Sequence, residues 1–218
     1  MTKRVVLFDW DGTLADNYDV IKNGINQVFS HFSMPLWTDE DAKKNIRLTA
    51  RDLYSHLFDD QNDVDTALKI YLSYVEENHL DIIKPIDGAE DFICKLHNEG
   101  YVLGIVSNKT QRFLDREVLK LGWQDMFEVV IGAGTAKRDK PQPDSINLAL
   151  KRLNATSAQA IYVGDTETDM IAAQNALVKS VFVTYGLGDV DDLKKTVFAT
   201  QMPSICNNYK ELREAVSF

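Results

Sequence analysis

The apolar run Val5-Val6-Leu7-Phe8 stops abruptly at Asp9-Trp10-Asp11-Gly12, and no other stretch constrains the fold as much. An apolar run without alternation reads as a strand buried on both faces, the habit of parallel sheets. Here such a strand ends in two carboxylates one residue apart, and open α/β sheets bind their ligands at strand ends. An Asp-Gly turn alone would also account for the pair. The rest of the chain decides between a simple turn and a site.

From Gly88 onward, strand and helix patterns alternate. Helical spacing of Phe92, Ile93 and Leu96 stops at Gly100, and the apolar stretch Tyr101 to Val106 runs into Ser107-Asn108-Lys109. Phe113, Leu114, Val118 and Leu121 predict a helix closed by Gly122; Phe127 to Ile131 predicts a strand. A helix through Ile146 and Leu153 precedes the strand Ala160 to Val163, which ends in Gly164-Asp165. A short helix to about Ala176, strands at Ser180 to Thr184 and Val197 to Ala199, and a closing helix from Tyr209 to Val216 complete the alternation. This order implies a doubly wound, parallel, Rossmann-like α/β sheet.

Residues 17–83 read differently. Tyr18, Ile21, Ile25, Val28 and Phe32 recur at helical spacing up to Met34-Pro35, Asp39 to Leu48 reads as a short polar helix with a loop, and two further apolar faces follow, Leu53 to Phe58 and Val64 to Val75. Lys84-Pro85-Ile86-Asp87-Gly88 breaks the pattern. The expected organisation is a core domain of residues 1–16 and 84–218 with an all-helical cap inserted at 17–83. Neither repeats nor low-complexity segments are visible.

Composition excludes several function classes. The formal charge of −9 argues against a nucleic-acid or membrane-surface binder, because phosphate backbones attract clustered Lys and Arg. No run approaches the length of a membrane span, and Lys3-Arg4 precedes only four apolar residues, too few for a signal-peptide core. Cys94 and Cys206 form no metal-ligand pattern and read as buried free thiols. A cytoplasmic protein is expected.

Four segments then carry the chemistry: Asp9 to Asp16 (D-W-D-G-T-L-A-D), Ser107-Asn108, Lys140-Pro141-Gln142-Pro143, and Gly164-Asp165-Thr166-Glu167-Thr168-Asp169. Taken in this order at these strand ends, they resemble the four motifs of the haloacid dehalogenase superfamily phosphatases, with a helical cap of the phosphoglycolate-phosphatase-like kind. On chemical grounds, Asp9, Asp11, Asp165 and Asp169 gathered together repel one another and a phosphate, so the site needs cations. All-oxygen ligands suit Mg2+, and Lys140 is the basic residue placed to answer the substrate.

The resemblance implies that Asp9 is the nucleophile, forming an aspartyl-phosphate, and Asp11 the general acid and then base. It places Mg2+ on Asp9, the Asp11 carbonyl, Asp165 directly and Asp169 through water. Thr13, Ser107, Asn108 and Lys140 would hold the phosphoryl oxygens, and Gly12 would let the backbone turn sharply. Trp10 reads as packing, Glu167 as a solvated side chain, and Lys109 equally as site or surface. His31, His56, His79 and His97 fall on helical segments outside the motifs and read as structural. Ala176 stands where relatives close the helix with Gly.

The function implied is a Mg2+-dependent phosphatase of a small phosphorylated metabolite. A β-phosphoglucomutase-type mutase shares the motifs, but Ser107-Asn108-Lys109 and the plain G-D-x-x-x-D segment favour hydrolysis. A dehalogenase needs neither Asp11 nor Asp165, and a non-catalytic binding module would be expected to have lost some of these groups. In the cap, Lys43, Lys44, Arg47 and Arg51 cluster between the first helices, and Arg47 and Arg51 are the candidates for reading an acidic leaving group. Arg47 stands near a position where relatives often carry Gly.

Overall fold

The strand propensity and burial of Val5–Phe8 are realised as β1, all of whose side chains are buried. The computed structural model describes residues 3–46, 49–196, 198 and 202–217. After β1 come β2 (Ala15–Asp16), α1 (Tyr18–His31), α2 (Asp39–Asn45), α3 (Ala50–Leu57), α4 (Gln61–Ile82), β3 (Lys84–Pro85), α5 (Ala89–Asn98), β4 (Val102–Thr110) and α6 (Gln111–Lys120). The chain continues through β5 (Val129–Ala133), α7 (Asp144–Arg152), a 3-10 turn at Ser157–Gln159, β6 (Ala160–Gly164), α8 (Glu167–Asn175), β7 (Lys179–Val183), α9 (Val190–Lys195), β8 (Ser204–Cys206) and α10 (Tyr209–Ala215).

Among the described residues, six strands form one sheet in the order β5-β4-β1-β6-β7-β8, and every pairing in it is parallel. Phe8 pairs with Ile105 of β4 on one side and Val163 of β6 on the other. The chain fills one side of β1 and then crosses to the other, so the strand order reverses at β1. That reversal is where a doubly wound sheet opens a crevice at its carboxyl end, and Asp9 is the first residue beyond it. Val5, Leu7 and Tyr162 of the central strands pack with Ile146 and Leu150 of α7 and Met170 of α8 in one apolar cluster.

The chain divides into two compact units, Met1–Asp16 with Lys84–Phe218, and Asn17–Ile83. The first holds the sheet and also a two-stranded antiparallel ribbon, β2 with β3, where the sequence shows only a Pro/Gly break; two residues per strand leave no periodicity to read. The second is helical among its described residues. There Gly24 of α1 faces the Tyr71 ring of α4, Asn26 binds the Trp37 backbone through both ends of its amide, and Tyr54 of α3 stacks edge-on against Tyr71 at 6.2 Å.

Several boundaries differ from the expectations. The first helix ends at His31, not at Met34-Pro35, because Ser33 takes a left-handed φ of 54°. Of the strand expected at Val197 to Ala199, Val197 and Ala199 lie outside the described residues; among the described residues one edge of the sheet is Ser204–Cys206, whose Ser-Ile-Cys sequence is too short to stand out. Cys94 is half-buried while Cys206 is buried; both are free. No helix among the described residues is long and apolar enough to cross a membrane.

Candidate active site

Asp9 leaves β1 with its amide still donating to Val163 O at 2.9 Å, so the sheet fixes its backbone. Immediately after, the amides of Thr13, Leu14 and Ala15 all donate to Trp10 O, curling the chain into a tight loop. Gly12 permits this loop at φ 82°, and a Cβ there would collide with the Asp165 carboxylate. Thr13 Oγ1 donates to Asp165 Oδ1 at 3.1 Å, so in this structure its hydroxyl addresses a carboxylate.

The Asp165–Asp169 segment is organised by a helix start. Thr166 caps α8, its hydroxyl accepting from the Asp169 amide, while Asp169 Oδ2 accepts from the Thr166 amide at 3.0 Å and from its hydroxyl at 2.7 Å. This reciprocal capping box sets a carboxylate at the positive end of a helix. It leaves Asp169 Oδ1 to accept from Lys140 Nζ at 2.6 Å and to meet the Tyr162 hydroxyl at 3.1 Å. Glu167, on the same turn, is half-buried, contrary to the expectation of a solvated side chain.

Lys140 reaches the cluster from the loop before α7. Its ammonium is 2.7 Å from Asp9 Oδ1 and donates to Tyr162 Oη at 2.9 Å. Asn108 holds the backbone that carries it: Nδ2 donates to Lys140 O and Oδ1 accepts from the Lys140 amide, both at 2.9 Å. Ser107 is buried, and its Oγ accepts from the Lys109 amide at 3.2 Å. Ser107, Asn108 and Lys109 lie at a register break near the end of β4, which frees them from regular pairing.

The carboxylates of Asp9, Asp165 and Asp169 are buried and offer oxygen atoms within 4.8 Å of one another, a group able to hold a metal ion. The Asp11 carboxylate is outside this group and is paired with Lys109 Nζ at 2.9 Å. Burial, then Asp169, push Asp9 up to about 7 against the pull of Lys140. Burial, then Asp169 and Asp9, hold Asp165 well above the usual carboxylate range, although the Leu187 amide and Thr13 hydroxyl oppose this. Burial works against the Lys140 charge, but Asp169 and Asp9 outweigh it and keep it protonated. Three carboxylates around one ammonium leave a surplus that a divalent cation would offset, and an all-oxygen donor set fits a hard one.

Three contributors escape the sequence reading. Tyr162 is a hydroxyl in the otherwise apolar strand Ala160–Gly164, and it joins Lys140, Asp169 and Val106 O. The Leu187 amide donates to Asp165 Oδ2 at 2.6 Å, and Gly188 lets this segment press against the Asp165 backbone where a Cβ would clash. Glu117 interrupts the apolar stripe of α6, and an acid inside such a stripe is the signal that could have found it. Lys109 belongs with the site and not the surface, its side chain only 7% exposed. Trp10 packs edge-on against Trp123, as expected of a packing residue. The four histidines lie on α1, α3, α4 and α5, away from these motifs in sequence. Arg51 is exposed on α3, and Arg47 lies outside the described residues.

Comparison with known proteins adds to this geometry. Residues 6–183 match the family described as haloacid dehalogenase-like hydrolase. A phosphoglycolate phosphatase from Xanthomonas campestris is 31% identical over 210 residues, covering 93% of this chain and 94% of the relative. Pyrophosphatase PpaX of Listeria monocytogenes is 33% identical over 184 residues, covering 84% and 83%. The solved structure of a haloacid dehalogenase-like family hydrolase from Streptococcus pneumoniae superposes with a TM-score of 0.87 at 22% identity, covering 99% of both chains, which bears on the fold.

Proposed function

The chain belongs to the haloacid dehalogenase-like hydrolases and is an enzyme, a phosphoric monoester hydrolase; from that premise we propose that it is a Mg2+-dependent phosphatase of a small phosphorylated metabolite, working through an aspartyl-phosphate on Asp9. The observation that carries this reading is the arrangement at the end of β1, where Lys140 lies between Asp9 and Asp169 and Asp165 completes the acidic group. Bound Mg2+, held by Asp9, Asp165, Asp169 and the Asp11 carbonyl, would supply positive charge against the phosphoryl oxygens.

In this mechanism Asp9 attacks phosphorus, and the departing ester oxygen takes a proton from Asp11. Asp11 then accepts a proton from the water that attacks the acyl phosphate, releasing phosphate and restoring Asp9. Lys140, itself held by Tyr162 and Asp169, keeps the attacking carboxylate in place, and the buried setting keeps bulk water from competing. Ser107, the Asn108 amide and Lys140 orient the phosphoryl oxygens; Thr13 joins them where its hydroxyl turns from Asp165. Residues 17–83 serve as the specificity cap, with Arg47 and Arg51 reading an acidic leaving group. The free thiols Cys94 and Cys206 support a cytoplasmic address.

The test is a panel of phosphoglycolate, pyrophosphate, sugar phosphates and an aryl phosphate, assayed with EDTA and with restored Mg2+. Turnover of at least one ester that chelation abolishes and Mg2+ restores is expected. Undiminished turnover after exhaustive chelation would overturn the metal assignment. Transfer of the phosphoryl group to a sugar in place of water would make the enzyme a mutase.

A further inference from the structure

A chain of buried polar contacts lies behind Asp11, and the proposed reaction does not use it. Glu117 is fully buried on the face of α6 that also carries Phe113, Leu114 and Val118. A carboxylate in such a place is costly unless it is paired and hydrogen-bonded. Trp10 Nε1 donates to its Oε2 at 2.7 Å, and Lys109 Nζ lies 3.0 Å from its Oε1. The same Lys109 ammonium reaches on to Asp11 Oδ1 at 2.9 Å. Trp10 and Asp11 are neighbours in sequence, so both are tied to Glu117, one directly and the other through Lys109.

The geometry of these ties limits their freedom. Trp10 is itself fully buried, wedged against Trp123 with ring centroids 5.8 Å apart, so its indole N–H gives Glu117 a fixed donor. Glu117 in turn fixes the ammonium of Lys109. Without that second carboxylate, Lys109 would lose one of the contacts that hold its ammonium beside Asp11. Proton transfer is sensitive to such placement, and a displacement of about 1 Å can cost on the order of a hundredfold in rate.

We propose that Glu117 is a positioning residue that, through Lys109 and Trp10, holds the Asp11 carboxyl in its working orientation. The inference rests on the phosphatase reading for the role of Asp11, and the experiment separates the two. Wild type, Glu117→Gln, Lys109→Met, Trp10→Phe and Asp11→Asn would be compared on an alkyl phosphate and on p-nitrophenyl phosphate, whose leaving group needs no proton. Glu117→Gln and Lys109→Met should lower kcat/KM, which reports the steps up to departure of the leaving group and not the later hydrolysis of the acyl phosphate, about tenfold to a hundredfold on the alkyl ester, with a much smaller loss on the aryl ester. Asp11→Asn should show the same split more strongly, and Trp10→Phe a weaker one. Equal losses on both esters, or none, overturn the proposal.

A second measurement does not depend on turnover. Unfolding midpoints of Asp11→Asn, Glu117→Gln and the double variant should be non-additive, because Lys109 couples the two carboxylates. Additive midpoints overturn the proposal even where the kinetics agree. If wild type hydrolyses no phosphate ester, the functional reading fails, and the midpoints alone decide whether the tie from Glu117 to Asp11 exists.

Discussion

Replacing Lys140 by Met, which keeps the apolar stem and removes the charge, should destabilise the metal-free protein strongly. The ammonium sits 2.7 Å from Asp9 and 2.6 Å from Asp169, and its side chain is 3% exposed. Its loss leaves two buried carboxylates without this counter-charge. Removing one partner of a buried ion pair costs about 3–5 kcal/mol. At roughly 2–4 °C per kcal/mol for a chain of this size, the midpoint should fall by about 6–20 °C.

The pH dependence has a definite sign. Asp9 stands at about 7 in the folded protein, raised from 3.8 chiefly by burial and Asp169, with Lys140 pulling it down. Without Lys140 it should titrate higher still. Between its unfolded and folded values the native state holds more protons than the unfolded one, so the stability linked to Asp9 falls as pH rises. The deficit of Lys140→Met should therefore be largest above about 7 and shrink toward the unfolded value of 3.8. Thermal unfolding in EDTA across this range measures it, and added Mg2+ should narrow the gap at high pH by giving the carboxylates another counter-charge. A midpoint within about 2 °C of wild type at pH ~8 in EDTA would refute the reasoning, because a buried pair cannot lose its cation so cheaply.

Other predictions are more local. Arg51→Ala should reduce kcat/KM on a carboxylated phosphate ester more than on a neutral one, by roughly tenfold if a charge-assisted hydrogen bond is lost; Arg47→Ala is the parallel test, and equal losses on both esters would remove these arginines from substrate recognition. Leu177 is 73% exposed and takes a left-handed φ of 57° after α8. Leu177→Gly should therefore stabilise by about 0.5–1 kcal/mol and Leu177→Ala should gain little, since any Cβ is strained there; equal midpoints for the two variants would refute this.

How much of this was legible in the sequence depends on the scale of the signal. β1 and β6 announce themselves as apolar runs that end at acids, and the parallel sheet follows from their alternation with helices. β8 does not, because a three-residue edge strand carries little burial pattern. The helix α8 ends where expected, at Asn175 with Ala176 as its cap, but the left-handed residue comes one position later than the expected Gly site. Ala176 keeps a right-handed conformation and Leu177 takes the left-handed one, so a missing Gly at 176 carries no capping cost. Motif order brings Asp9, Lys140, Asp165 and Asp169 together on the page, but not their partners. Lys140 reads from sequence as a substrate-facing charge, whereas in the fold it is first a buried counter-ion. Asn108 reads from the resemblance as a phosphate-binding residue, whereas in the fold its side-chain amide locks the backbone of Lys140 across 32 residues of sequence. Such long-range pairings leave no spacing rule in the chain.

The central claim is that Asp9 carries the phosphoryl group, and trapping that group tests it most directly. Asp11→Asn, deprived of the base that activates water, should accumulate the acyl phosphate during turnover of an aryl phosphate with Mg2+. Acid quenching, borohydride reduction and peptide mass spectrometry would locate it. The account predicts reduction to homoserine at position 9 and nowhere else, lost when Asp9→Asn is added. Phosphorylation at another residue, or Mg2+-dependent hydrolysis that persists in Asp9→Asn, would contradict it.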